Sequence, residues 1–306
     1  MRTTLSSLIL LVGFSVAISA EQPDRDQARP RPSLSDVVTS LRDLEYGRAD
    51  GKPMRLDLYL PEKRERPSPL IIWIHGGAWM SGSKNGQSPA LPLVRKDYAV
   101  AHVGYRLSQE AKFPAQIHDC KAAVRWLRSN AGKYNLDPNK FAAWGASAGG
   151  HLVALLGTTS DAPELEGTVN DLKTSSRVQA VIDWFGPSDF LRIGEPESDI
   201  RHNAPDSPES KLIGGPLLEN KDKAAKASPI TYVKKGAPPF LIMHGDRDHT
   251  VPFNQGELLY EALKKAGVDA TFIPMQGAGH GFGGQKAIQP VEDFLKRCLG
   301  SSQSSQ

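Results

Sequence analysis

The sequence predicts an α/β fold: a mostly parallel, doubly wound sheet with antiparallel N-terminal strands and one small lid-like insertion. Three observations carry that expectation. Apolar segments of strand length alternate along the chain with amphipathic segments of helix length, the order that builds a parallel sheet with helices on both faces. The run Leu70-Ile71-Ile72-Trp73-Ile74 is apolar at every position, as a strand covered on both faces must be. A third apolar segment, 141–144, breaks at Gly145-Ala146-Ser147-Ala148-Gly149 and resumes as helix-compatible sequence through Leu152, Leu155 and Leu156.

Residues 1–20 read as a secretory signal peptide, with Arg2 near the start, an apolar stretch from about 8 to 18, and small Ser19-Ala20 before polar Glu21-Gln22. The stretch is too short to span a bilayer comfortably, so the expected product is secreted or periplasmic and has no stable membrane anchor. Residues 21–35, charged and proline-bearing, and the Ser/Gln tail 301–306 are expected to be disordered. Residues 36–300 remain as one domain, long enough for a large core.

Within it, 41–47 and 54–60 alternate as antiparallel strands do, and Ala49-Asp50-Gly51-Lys52 between them is a turn sequence. The buried run 70–74 follows, then an irregular segment with Pro89 and Pro92, a strand at 99–103 and a helix over about 114–131. In that helix Ile117, Cys120, Val124 and Leu127 recur at steps of three and four and share one face. Further strands are expected at 178–184, 240–243 and 270–274, with helices at 258–266 and 291–299. Residues 186–236, rich in Pro, Asp, Glu, Ser and Lys, fit no such alternation. They form an insertion above the sheet, either a lid or a surface excursion with short helices.

With 37 Lys plus Arg against 34 Asp plus Glu, the chain carries a formal charge of +3 and no basic cluster. Nothing there points to nucleic acid. The two cysteines, Cys120 and Cys298, are expected on helices at opposite faces of the sheet and therefore unpaired.

The chemistry-bearing motifs stand at predicted strand ends, where open α/β sheets place their ligands. Ser147 sits at the centre of a G-x-S-x-G turn that lifts a serine hydroxyl out of a sheet toward a base. After the third strand, His75-Gly76-Gly77-Ala78-Trp79 has the flexibility to aim backbone N–H groups at a shared point. The expected oxyanion donors are the N–H groups of Gly77 and Ala148, with Gly76 or Ala78 as a third. After residue 243, His244-Gly245-Asp246-Arg247-Asp248 offers two carboxylates, and spacing alone does not choose between them. His280 lies among Gly277, Gly279 and Gly281 on a loop after the last strand. Trp79 and Trp184 at the same sheet edge are either walls that flank a small acyl or aromatic group or packing residues, and His75, His244 and His151 are expected to hold or pack the neighbouring loops. No histidine spacing suggests a metal.

In the order Ser, Asp, His, these motifs resemble the α/β-hydrolase superfamily, and within it bacterial esterases of the hormone-sensitive-lipase-like and BD-FAE (bifunctional feruloyl and acetylxylan esterase) type. Further likeness lies in Gly82-Ser83-Lys84, Gly104-Tyr105-Arg106-Leu107 and Asp183-Trp184-Phe185-Gly186-Pro187. The resemblance covers roughly residues 40–299. It implies the α/β-hydrolase fold, a nucleophile at Ser147, a base at His280 and, through H-G-x-x-D-x-x-V-P, the acid at Asp248, with Asp246 at a variable position. It also implies a serine esterase without cofactor, acting on small or polysaccharide-linked esters. The polar insertion adds an expectation of short acyl groups. A peptidase of the prolyl-oligopeptidase type and a non-catalytic binding protein on the same fold are the alternatives.

Overall fold

In the computed structural model, which describes residues 38–62, 65–170, 172–195 and 198–300, the alternating segments assemble into one eight-stranded sheet. The expected signal peptide at 1–20, the segment 21–35 and the tail 301–306 lie outside the described residues. Strands β1 (Val38–Ala49) and β2 (Lys52–Pro61) form an antiparallel hairpin. Asp50 and Gly51 at its turn both have positive φ, 51° and 76°, the pair of left-handed residues that a tight hairpin of this twist requires. Strands β3 (Ser68–Ile74), β4 (Ala99–Val103), β5 (Leu136–Ala146), β6 (Ala180–Trp184), β7 (Phe240–Gly245) and β8 (Ala270–Met275) complete the sheet. The spatial order is β1-β2-β4-β3-β5-β6-β7-β8, with β2 antiparallel to β4 and all later pairings parallel. The chain therefore moves outward from β3 to β4 and then crosses back to β5. That reversal opens a crevice at the carboxyl ends of the strands, and Ser147 follows β5 there.

The described α-helices are α1 (Ala115–Ser129), α2 (Ala131–Tyr134), α3 (Ala148–Thr158), α4 (Pro208–Ile213), α5 (Lys221–Ala227), α6 (Asn254–Lys265) and α7 (Gln285–Leu299). Alternation along β3 divides the core into two layers. Leu70, Ile72 and Ile74 pack with residues of α1, α3 and α6, whereas Ile71 and Trp73 pack with residues of α7. Cys120 lies in the first layer and Cys298 against the second, both unpaired.

Several elements differ from the sequence expectation, α6 among them, which begins at Asn254 rather than 258. Strand β5 begins at Leu136 rather than 141: Leu136 pairs with Ser68, and the polar residues Asp137 to Lys140 span a register shift before regular pairing resumes at Phe141, so they carry no apolar signature. Helix α7 begins at Gln285 rather than 291: Ala287, Val291, Phe294, Leu295 and Leu299 form one buried face that runs through Pro290. The insertion 186–236 carries the short helices α4 and α5, and its Phe190, Ile193, Leu212 and Leu217 are fully buried in the first layer. No helix among the described residues is long and apolar enough to cross a membrane.

Candidate active site

Ser147 joins β5 to α3 with φ 56° and ψ −123°, a conformation that costs energy for a residue with a side chain. Close packing holds it there. A Cβ added at Gly145 would lie 2.3 Å from the carbonyl oxygen of Gly149, and one at Gly149 would lie 2.1 Å from that of Ile74. Strand, helix and the end of β3 thus meet where only glycine fits, and Ser147 N–H donates to the Trp184 carbonyl at 2.9 Å.

The hydroxyl so presented stands 3.0 Å from His280 Nε2, and His280 Nδ1 stands 2.8 Å from Asp248 Oδ2. Oδ1 of Asp248 accepts the N–H groups of Thr250 and Val251, each at 2.9 Å. Oδ2 also lies 3.3 Å from His244 Nε2, which donates its proton to the Val251 carbonyl at 2.9 Å. Burial opposes ionisation of Asp248, but hydrogen bonds with His244 and His280 outweigh it and hold the carboxyl well below the usual range. An ionised Asp248 keeps the His280 proton on Nδ1 and leaves Nε2 to accept one from Ser147. The arrangement can therefore turn an alcohol into a nucleophile. Asp246 has a different partner: its Oδ1 accepts Gly277 N–H at 2.6 Å and ties down the loop that carries His280.

The loop after β3 turns sharply, with successive positive φ at Gly77 (110°), Ala78 (54°) and Trp79 (56°). The Gly77 carbonyl accepts N–H from Met80 and Ser81 at 2.9 and 3.0 Å, which closes the turn. Gly76 approaches the serine so closely that an added Cβ would lie 3.3 Å from Ser147 Cβ. Ala148 opens α3, where backbone N–H groups have no intrahelical acceptor and the helix field favours negative charge. Gly76, Gly77, Ala78 and Ala148 thus belong to the two turns beside the hydroxyl.

The two tryptophans require a correction. Trp79 and Trp184 are 1% and 3% exposed and belong to opposite core layers, so neither offers an open face to an acyl group. Trp184 packs edge-on against Trp144. Trp79 donates its indole N–H to His151 Nδ1 at 3.2 Å, and His151 Nε2–H donates to the Ala227 carbonyl at 2.7 Å. Phe190 of the insertion stacks on the same imidazole. His151 is therefore packed, as the sequence suggested, but it also ties the elbow helix, the glycine loop and the insertion together. Sequence reading missed Phe185, whose ring lies edge-on to His280 with centroids 4.8 Å apart and whose φ is 44°. The signal was its place directly after Trp184 at a strand end, within the segment Asp183 to Pro187 that carries part of the family likeness. Among the described residues, no cluster of three or more His, Cys, Asp or Glu is arranged to hold a metal.

Residues 56–263 match the family model BD-FAE. The chain belongs to the BD-FAE family. The matched span contains Ser147 and Asp248, while His280 lies beyond it. The chain is 33% identical over 220 residues to Esterase LipC of Mycobacterium tuberculosis, a match covering 71% of this chain and 54% of LipC. It thus spans about half the length of that relative. Among solved structures, a truncated carbohydrate esterase from gut microbiota superposes with a TM-score of 0.79 at 36% identity, covering 87% of this chain and 98% of that one. Esterase Est2 of Thermogutta terrifontis gives 0.73 at 28% identity, covering 92% and 99%. A BD-FAE chain with these neighbours has the α/β-hydrolase fold.

Proposed function

We propose that this BD-FAE chain is a serine carboxylic-ester hydrolase. The observation that carries the reading is the unbroken line of contacts from Ser147 Oγ through His280 to Asp248, at 3.0 and 2.8 Å. Ser147 attacks the ester carbonyl as its proton passes to His280 Nε2, and Asp248 stabilises the imidazolium. The N–H groups of Gly77 and Ala148, with Gly76 or Ala78, receive the oxyanion. Collapse of the tetrahedral intermediate breaks the bond to the alcohol, which takes the proton from His280. Water, deprotonated by the same histidine, then cleaves the acyl-enzyme, and Ser147 recovers its proton. No step needs a cofactor.

Short acyl or carbohydrate-linked esters, acetyl and feruloyl among them, are the proposed substrates. Glu195, Asp199, Arg201, Asp206 and Lys211 are exposed on the insertion, whose exposed large apolar residues, Leu191 and Leu218, are separate in sequence and form no continuous apolar run of the kind a lipid-facing lid needs. A solved relative described as a carbohydrate esterase supports the same direction. An enzyme of this kind, with the leader-like sequence 1–20, would act outside the cytoplasm.

The test is Ser147→Ala in purified protein, assayed on an acyl series from acetyl to palmitoyl. The expected result is a folded variant at least roughly a thousandfold less active, and a wild type whose kcat/KM falls steeply beyond butyryl. Esterase activity that survives in Ser147→Ala would refute the nucleophile, and preference for palmitoyl would refute the substrate class.

A further inference from the structure

A cleft of about 430 Å3 opens at the sheet edge that bears Ser147, yet Ser147, His280 and Asp248 do not line it. Its walls are the β1–β2 turn, the loop from Gly82 to Asn85, and the segment from Gly104 that follows β4. Because β2 runs antiparallel to β4, the hairpin turn lies at the carboxyl end of the parallel strands, level with the elbow. From β5, which carries Ser147, the sheet continues outward through β3, β4 and β2. At about 4.8 Å per strand, the cleft floor at Gly104 lies roughly 10 Å from the nucleophile.

Cleft and catalytic loop share a wall. His75 lines the cleft, and the next residue, Gly76, stands against Ser147. A Cβ at Gly82 would lie 2.5 Å from His75 Nδ1, so the two loops are in contact. Lys84 anchors the outer one, bonded to Asp57 at 2.8 Å and Asp43 at 2.7 Å.

The lining carries charged and hydrogen-bonding side chains beside the apolar surface of Pro53, Met54 and Leu107. Some of the charges are matched: Arg106 pairs with buried Asp119 at 2.7 Å and with exposed Asp50 at 3.1 Å. At the mouth, Lys52 and Arg55 are exposed and enter no ion pair among the described residues. Glu110 also lines the cleft, one of its oxygens engaged by Leu107 N–H at 2.9 Å, and Ser83 and Asn85 add a hydroxyl and an amide. The large apolar residues that remain exposed, Leu172, Leu191 and Leu218, all lie elsewhere. An alkyl chain would desolvate these polar groups without return, whereas a polyol can bond to them. The volume falls in the range of about 300–1,000 Å3 typical of small-ligand sites.

We propose that this cleft is a distal subsite for an oligosaccharide, holding the carbohydrate portion of an ester whose acyl group lies at Ser147. The proposal rests on the esterase reading and extends it to the alcohol side of the substrate. Two variants test it in the full chain: the double substitution Lys52→Ala with Arg55→Ala, and Ser83→Tyr, which places a ring in the cleft. For each, kcat/KM is measured on acetylated xylo-oligosaccharides and on p-nitrophenyl acetate. The ratio of the two should fall at least about tenfold, mainly through KM, as expected when a hydrogen bond to a charged group is lost. An unchanged ratio in both variants overturns the subsite. If the wild type hydrolyses no ester, the esterase reading fails, and calorimetry with deacetylated xylo-oligosaccharide decides the cleft alone. Binding that Ser83→Tyr abolishes then supports the subsite, and equal binding or none overturns it.

Discussion

Nε2 of His244 stands 3.3 Å from Oδ2 of Asp248, on the same carboxylate oxygen that His280 meets from the other side. His244 is fully buried, and its proton also reaches the Val251 carbonyl, so the ring fixes both the carboxylate and the loop beyond it. His244→Phe keeps a ring of similar shape and removes the donor. The expected loss in kcat is roughly tenfold, with KM nearly constant. Its destabilisation should be larger at neutral pH than in strong acid. The depressed Asp248 carboxyl contributes stability above its unfolded pKa, and that contribution disappears as pH falls through the lower folded value. A stability difference that does not change with pH would show that His244 only fills space.

Asp248→Asn and Asp246→Asn should separate sharply. The first removes the charge that opposes the imidazolium and favours the wrong tautomer, so kcat should fall by about four orders of magnitude. The second retains an oxygen that can accept Gly277 N–H, and its cost should stay within roughly tenfold. Comparable losses measured on the same ester would contradict the division of roles between the two carboxylates.

Trp79→Phe leaves His151 Nδ1 buried without its donor. A destabilisation of about 1–2 kcal/mol is expected from denaturant titration. Because Trp79 follows Ala78 on the glycine loop, kcat should fall while KM changes little. A variant as stable and as active as the wild type would dissociate this hydrogen bond from the geometry of the loop.

Burial lowers His75, His102 and His151 to about 4 from the ordinary imidazole value. Each stabilises the fold fully above about pH 6.5, and the contribution is lost as pH falls toward 4, because the unfolded chain takes up the proton first. Asp183 acts in the opposite sense. Burial raises it to about 6, so its contribution is present in acid and is lost as pH rises through that value. Three histidines outweigh one carboxyl, and stability should decline between pH 6.5 and 4 by on the order of 2–3 kcal/mol per unit at the steepest. Thermal melts across that range should show the decline, steeper in Asp183→Asn. A flat profile, or a shallower one in the variant, would contradict the assignment.

The sequence by itself determined the alternation of strands and helices, the hairpin turn at Asp50-Gly51 and the strand ends at which Ser147, Asp248 and His280 stand. These are local properties: apolar periodicity, turn chemistry and glycine placement act over a few residues and remain legible without neighbours. Tertiary structure decided what depends on distant partners. The polar start of β5 joined the strand because Leu136 pairs with Ser68 of β3 ahead of a register shift, and α7 gained its first turns from a buried face that Pro290 did not interrupt. Trp79 and Trp184 looked like pocket walls by position, but the layers that closed over them made them core. His151 acquired partners 72 and 76 residues away, and His280 met the carboxylate of Asp248, 32 residues before it. Contacts of that range are set by how the faces of the sheet are covered, and burial together with the hydrogen-bond partners it leaves then sets the charge state of each titratable side chain.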